Sequence, residues 1–134
     1  MKFNSLTLCE KALIDSQTNT LSLINIIEEI QVKGLPAIIQ NLTIVLLLKK
    51  EEGDNEQKYI YEIVLKNNSI QLAKQQVNID FLGKSKFRLI VNFKSFLIKE
   101  QGSLIVEILD NGISEISSST IITLPAEPEA IISK

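Results

Sequence analysis

The chain has no histidine and no tryptophan, and only one cysteine, one methionine and one arginine among 134 residues. Each shortage removes a class of chemistry. Without His there is no Ser-His-Asp triad, no imidazole metal ligand and no imidazole proton shuttle. A lone Cys excludes an intrachain disulfide framework and a zinc ribbon. The five glycines are scattered, and none falls in a Gly-x-Gly-x-x-Gly, Walker-type or Gly-x-Ser-x-Gly motif, so no phosphate cradle or nucleophile elbow is encoded. Long hydrophobic runs are missing as well. The longest, Ile44 to Leu48, is five residues, whereas a membrane helix needs roughly 20. A net charge of −2 gives no overall attraction to nucleic acid or to an anionic membrane.

The N-terminal residues offer a charged Lys2, some apolar side chains and then Cys9, the outline of a lipoprotein signal. Asn4, Ser5 and Thr7 interrupt the apolar stretch, far short of the roughly 7–15 residues of a signal core. Leu8 also stands where a small residue would precede the cysteine. The glycosylation-type triplets Asn41-Leu42-Thr43 and Asn67-Asn68-Ser69 therefore carry no weight, and a cytoplasmic location is expected.

What is abundant is aliphatic: 22 Ile, 18 Leu and 6 Val, against five Phe and two Tyr. β-Branched side chains suit a pleated surface better than a helix. Apolar runs recur with turn chemistry between them, the pattern of an all-β domain. Residues 5–14 form a first run, with Leu6, Leu8, Ala12 and Ile14 of one parity. A polar turn follows at Asp15-Ser16-Gln17-Thr18-Asn19, then a second run over 20–32. Helical spacing of Leu21, Ile24, Ile27 and Glu28 competes there, but the density of β-branched residues favours a strand. Gly34-Leu35-Pro36 breaks the chain, because proline removes a ladder donor.

The run 37–49 is apolar on both parities from Leu42 to Leu48, as in a strand buried on both faces. Residues 49–58 read as a solvated hairpin loop. Tyr59 to Lys66 alternate as a strand, and 69–79, with Gln75 and Gln76, suits an edge. Beyond Gly83 the alternation predicts Phe87, Leu89, Val91, Phe93 and Leu97 on one face, with Phe96 among the charged residues of the other. Asp110-Asn111-Gly112 predicts a tight hairpin, since Asn and Gly tolerate positive φ. A two-residue loop would set Glu115 across from Ile108, and a bulge would shift that register by one.

The length suits one domain of about 100–150 residues. The expected fold is an all-β antiparallel two-sheet sandwich of 7–9 strands over residues 1–124, with a flexible tail at 125–134. A closed β-barrel holding an apolar ligand is the alternative.

No constellation for catalysis emerges. Glu28 and Glu29 are adjacent and would point to opposite faces of a strand. The Glu51-Glu52-Asp54-Glu56 cluster lacks calcium-loop spacing and reads as a solvated tip. Cys9, with Lys11 as its only nearby helper, reads as structural. No catalytic, cofactor-binding or metal-ligating residue and no cofactor is assigned, and the protein is not expected to be an enzyme.

Two features bear on binding. Lys84, Lys86, Arg88 and Lys94 share a parity and would form a basic outer row, either a solvated face that guards an edge or an anion-tracking surface. The runs 20–32 and 37–48 carry more aliphatic side chains than one face of a small sandwich buries. Ile24, Ile26, Ile30, Val45 and Leu47 are therefore candidates for a face covered by another segment or chain.

The order of features also resembles a family of small uncharacterised prokaryotic domains of unknown function. The matching residues are Cys9-Glu10-Lys11-Ala12, Leu21-Ser22-Leu23-Ile24-Asn25-Ile26, Leu35-Pro36, Gln101-Gly102-Ser103-Leu104-Ile105-Val106 and the Asp110-Asn111-Gly112 hairpin. Together they span most of residues 6–124. Members run Cys-Asp-x-Ala, Gly-Lys-Leu-x-x-x-Gly, a proline before the next strand and Gly-x-Tyr-x-Phe near the end. Here Asn19-Thr20-Leu21 replaces Gly-Lys-Leu, the second Gly of that motif is missing, and Leu104 stands where Tyr is usual. The resemblance implies an immunoglobulin-like sandwich and brings no activity or site residues. The expected function is thus a protein-interaction module, self-associating or bound to a protein partner, with nucleic-acid or anion binding through residues 84–94 as the alternative and no membrane partner.

Overall fold

A computed structural model describes residues 1–125, so the expected tail lies outside the described residues apart from Pro125. Nine strands follow one another: β1 (Lys2–Ile14), β2 (Leu21–Ile26), β3 (Glu29–Gln31), β4 (Ala37–Lys49), β5 (Lys58–Asn67), β6 (Ile70–Asp80), β7 (Lys86–Ile98), β8 (Gly102–Asp110) and β9 (Ile113–Thr123). They form two sheets, ordered β2-β1-β4-β7 and β3-β9-β8-β5-β6. All pairings are antiparallel except β3 with β9. The two inner faces meet in one core built around Leu42, Ile44, Leu46, Ile63, Leu65, Phe81, Leu104 and Ile108. The fold is a filled sandwich, and the barrel alternative is set aside because the two sheets do not join.

Several expectations change in detail. The run 20–32 is two strands, β2 and β3, in different sheets. The loop at residues 50–57 is not a hairpin: it carries the chain from β4 in one sheet to β5 in the other. Asn111 (φ 51°) and Gly112 (φ 85°) make the tight turn, pairing Asp110 with Ile113. A shift between Ile108 and Leu109 then brings Ile116, not Glu115, across from Ile108. The bulge keeps a glutamate out of the core at the expense of one ladder step.

The clearest departure is in β7. Phe93 is buried, but beyond it Phe96 and Ile98 face inward and Leu97 faces outward. Ser95 has φ 54°, a left-handed residue within the strand, and the inward parity reverses there. Its neighbour β4 reverses alongside it, from Ala37 and Ile39 to Leu42, Ile44 and Leu46, with no loss of register. A period of two fails across such a residue, because one residue in the left-handed region turns the following side chains to the other face.

Candidate interaction surface

The β1–β2 hairpin controls the outer face of the four-stranded sheet. β1 pairs with β4 from Lys2 to Cys9 and with β2 from Cys9 to Ile14. At Glu10 it leaves β4. Asn25, itself left-handed at φ 55°, stands across the ladder and donates to the Glu10 carboxylate at 2.9 Å. The Glu10 carbonyl accepts from Asn41 Nδ2 at 2.7 Å and from Thr43 Oγ1 at 3.1 Å, which pins the point of departure.

The hairpin then folds back. Its turn is stiffened by Asp15, whose carboxylate accepts from the backbone N–H groups of Gln17 and Thr18. Asn19, at φ 57°, ends the turn and meets Arg88 of β7, which is paired with Leu47 at the far end of β4. Val45 is consequently 1% exposed although it lies on the outer face and outside the main core cluster. Cys9 and Thr43 are buried on this face too, and burial pushes the Cys9 thiol pKa up.

Two clefts flank the hairpin. One, of about 450 Å³, opens where β1 leaves β4 and is lined by Glu10, Lys11, Gln40, Asn41, Asn92 and Lys94 among others. From Ala37 to Leu42, β4 has a ladder partner among the described residues only on the β7 side. Ile38 there is 63% exposed and paired with the exposed Leu97. The buried Asn41 Oδ1 has no hydrogen-bond partner among the described residues. The second cleft, of about 580 Å³, lies at the hairpin tip, with Leu47, Phe81 and Phe87 in its lining and Lys84, Lys86 and Arg88 among its polar groups.

The basic row is therefore divided: Lys84, Lys86 and Arg88 converge on the second cleft and Lys94 lines the first. The five aliphatic candidates do not form one face. Ile30 belongs to the sandwich core, Val45 lies beneath the hairpin, and Leu47 is half-buried. Ile24 and Ile26 are exposed at 39% and 57%. Sequence reasoning missed Ile38, Asn41 and Leu82. Residues 37–41 carry no charge, which is a usable signal for an unguarded strand edge. For Leu82 the sole hint is the turn residue Gly83 after it.

Among the described residues, no three Cys, Asp or Glu side chains gather to hold a metal ion, and no helix is long and apolar enough to cross a membrane. The Glu51–Glu56 segment keeps Asp54 turned back, its carboxylate accepting from the Glu51 backbone N–H.

A family model described as a family of unknown function, DUF6941, matches residues 4–119. The chain belongs to this family. The match runs from within β1 to within β9, so the DUF6941 unit includes the hairpin, both clefts and both sheets. No curated protein and no solved structure matches the chain.

Proposed function

We propose that this DUF6941 domain is a non-enzymatic protein-interaction module that takes an extended peptide at the uncovered edge of β4. The observation that carries the reading is the departure of β1 at Glu10. It leaves residues 37–41 without a strand on that side among the described residues, while the sheet continues on the other. Alternate backbone N–H and C=O groups of these residues are a template for one more strand, and strand addition is a common mode of peptide recognition. Ile38 supplies an apolar contact, and the unpartnered Asn41 Oδ1 can accept from an incoming N–H. Natural edges are often guarded by charge or proline, and the sequence Ala37-Ile38-Ile39-Gln40-Asn41 has neither.

The strand order supports an immunoglobulin-like arrangement, since short β3 lies parallel beside β9 while β4 and β7 pair in the opposite sheet. A reducing, cytoplasmic setting in a prokaryote fits the free thiol and the resemblance. The non-enzymatic reading is supported by the burial of Cys9, which keeps its thiol from solvent.

Peptide display against the intact chain tests the proposal. Selected peptides should be extended and alternately apolar, and should slow exchange of the slot-facing amides in residues 37–41 at least tenfold. Ile38→Lys should abolish their binding. No enrichment, or peptides that bind the Ile38→Lys chain equally well, would sink the reading.

A further inference from the structure

Leu82 is 76% exposed, more than any other large hydrophobic side chain among the described residues. Its φ is 51°, a region that costs a bulky side chain and suits Gly, Asn or Asp. The turn nevertheless holds it rigidly. Asp80 Oδ1 accepts from the Leu82 N–H at 3.0 Å, Gln57 Oε1 accepts from Gly83 N–H at 2.9 Å, and Lys84 N–H closes on the Phe81 carbonyl. A strained, solvent-facing leucine on a braced turn is disfavoured twice over in an isolated chain.

The surroundings indicate what it meets. Leu82 stands at the wall of the second cleft, whose lining combines Ile14, Leu47, Phe81 and Phe87 with the cations Lys84, Lys86 and Arg88. None of these three is ion-paired among the described residues, and Asp80, the acid in the lining, is engaged with the turn. The acidic loop at residues 50–57 runs along the same turn, joined to it from Lys50 N–H to the Ser85 carbonyl and from Phe81 N–H to the Gln57 carbonyl. Its Glu52 and Glu56 are exposed and unpaired among the described residues. One end of the molecule thus carries an apolar knob, an apolar hole, a basic rim and an acidic loop side by side.

Adjacent complementary patches are what a two-fold interface requires, since each patch meets its counterpart on the other copy. We propose that this end is a homodimer interface: Leu82 of each chain enters the cleft of the other, and each acidic loop lies against the partner copy's Lys84, Lys86 and Arg88. The surface is at the opposite end of β4 from the peptide slot, so the two readings stand or fall separately.

Sedimentation velocity on the full chain from about 1 to 200 µM tests it. A dimer is expected that weakens as salt rises, since exposed charges are screened. Leu82→Asn suits the left-handed turn, so it should leave the melting temperature unchanged or higher while weakening dimerisation at least tenfold. A Glu52→Lys/Glu56→Lys chain and a Lys84→Glu/Lys86→Glu chain should each be monomeric alone and should pair when mixed. A wild-type monomer throughout, a dimer indifferent to Leu82→Asn, or a cleft that binds nucleic acid while the chain stays monomeric would overturn the proposal.

Discussion

Arg88 and Asn19, 69 residues apart, are joined by two hydrogen bonds, from Nη1 to the Asn19 side-chain oxygen at 3.3 Å and from Nη2 to its carbonyl at 3.2 Å. The contact ties the tip of the β1–β2 hairpin to the outermost strand of the sheet it covers. Cys9 sits at the root of that hairpin with no exposed surface. The thiolate is the reactive form of cysteine, and burial raises the thiol pKa here, so both access and ionisation slow its chemistry. Cys9 should react with an aromatic disulfide only when the hairpin lifts. Removing an exposed charged pair of hydrogen bonds costs about 1 kcal/mol, which makes Arg88→Ala react roughly fivefold faster. Equal rates in the two chains would mean that the hairpin is held from elsewhere.

Gly102 opens β8 with φ 134°, and a Cβ added there would collide with the Asn68 carboxamide. That carboxamide cannot retreat cheaply. Its oxygen accepts from Ser103 N–H at 2.9 Å, and its nitrogen donates to the Gln101 carbonyl at 3.1 Å. Gly102→Ala should therefore cost at least about 2 kcal/mol, against about 1 kcal/mol for Gly53→Ala, where φ is 91° but nothing lies within 4 Å. Thermal melts of the two variants side by side would separate steric conflict from backbone preference alone.

Asn67 is fully buried between the β5–β6 turn and the β7–β8 connection. Its oxygen accepts from Lys99 and Glu100 N–H at 3.0 and 2.9 Å, and its nitrogen donates to the Glu100 and Ser103 carbonyls at 3.1 and 3.3 Å. Truncation would strand several buried backbone groups. Asn67→Ala is expected to destabilise by about 3 kcal/mol, and hydrogen exchange should quicken first at Lys99 and Glu100. Exchange that quickens evenly over the chain would show that the network does not act locally.

Much of this fold was legible because alternation is a local signal. Phe87 to Phe93, Tyr59 to Leu65 and the Asn111-Gly112 turn each declare themselves within a few residues. The surplus aliphatics at 42–48 also declared a second buried face, and Val45 has one. What covers it was not legible, because the hairpin folds back through a contact between Asn19 and Arg88 that no local pattern encodes. Ser95 defeated the parity count for a related reason: serine carries no mark of a left-handed residue, so Phe96 and Leu97 changed places. The convergence of Lys84, Lys86 and Arg88 followed from spacing, whereas the separation of Lys94 depended on where the hairpin lies.

Tyr61 gives the fold a measurable response to alkali. It packs edge-on to Phe3 at 5.5 Å and stacks on Tyr59 at 6.2 Å, nearly out of solvent. Burial pushes its phenol pKa up to about 12, with the negative charges of Asp110 and Glu115 adding to the effect. An unfolded tyrosine titrates near 10. The folded chain therefore holds this proton more tightly, and the stability it confers is complete below about pH 10 and lost as pH rises toward 12. That difference in proton affinity between folded and unfolded chain corresponds to about 2 to 3 kcal/mol across the window. Absorbance near 295 nm should rise in two stages, and Tyr61→Phe should remove the later one and flatten the alkaline fall in stability. Tyr59 is also shifted upward by burial, though it is the more exposed of the two, so it should account for the earlier stage. A single stage near pH 10 containing both tyrosines would place Tyr61 in water and contradict the packing of β5 against Phe3.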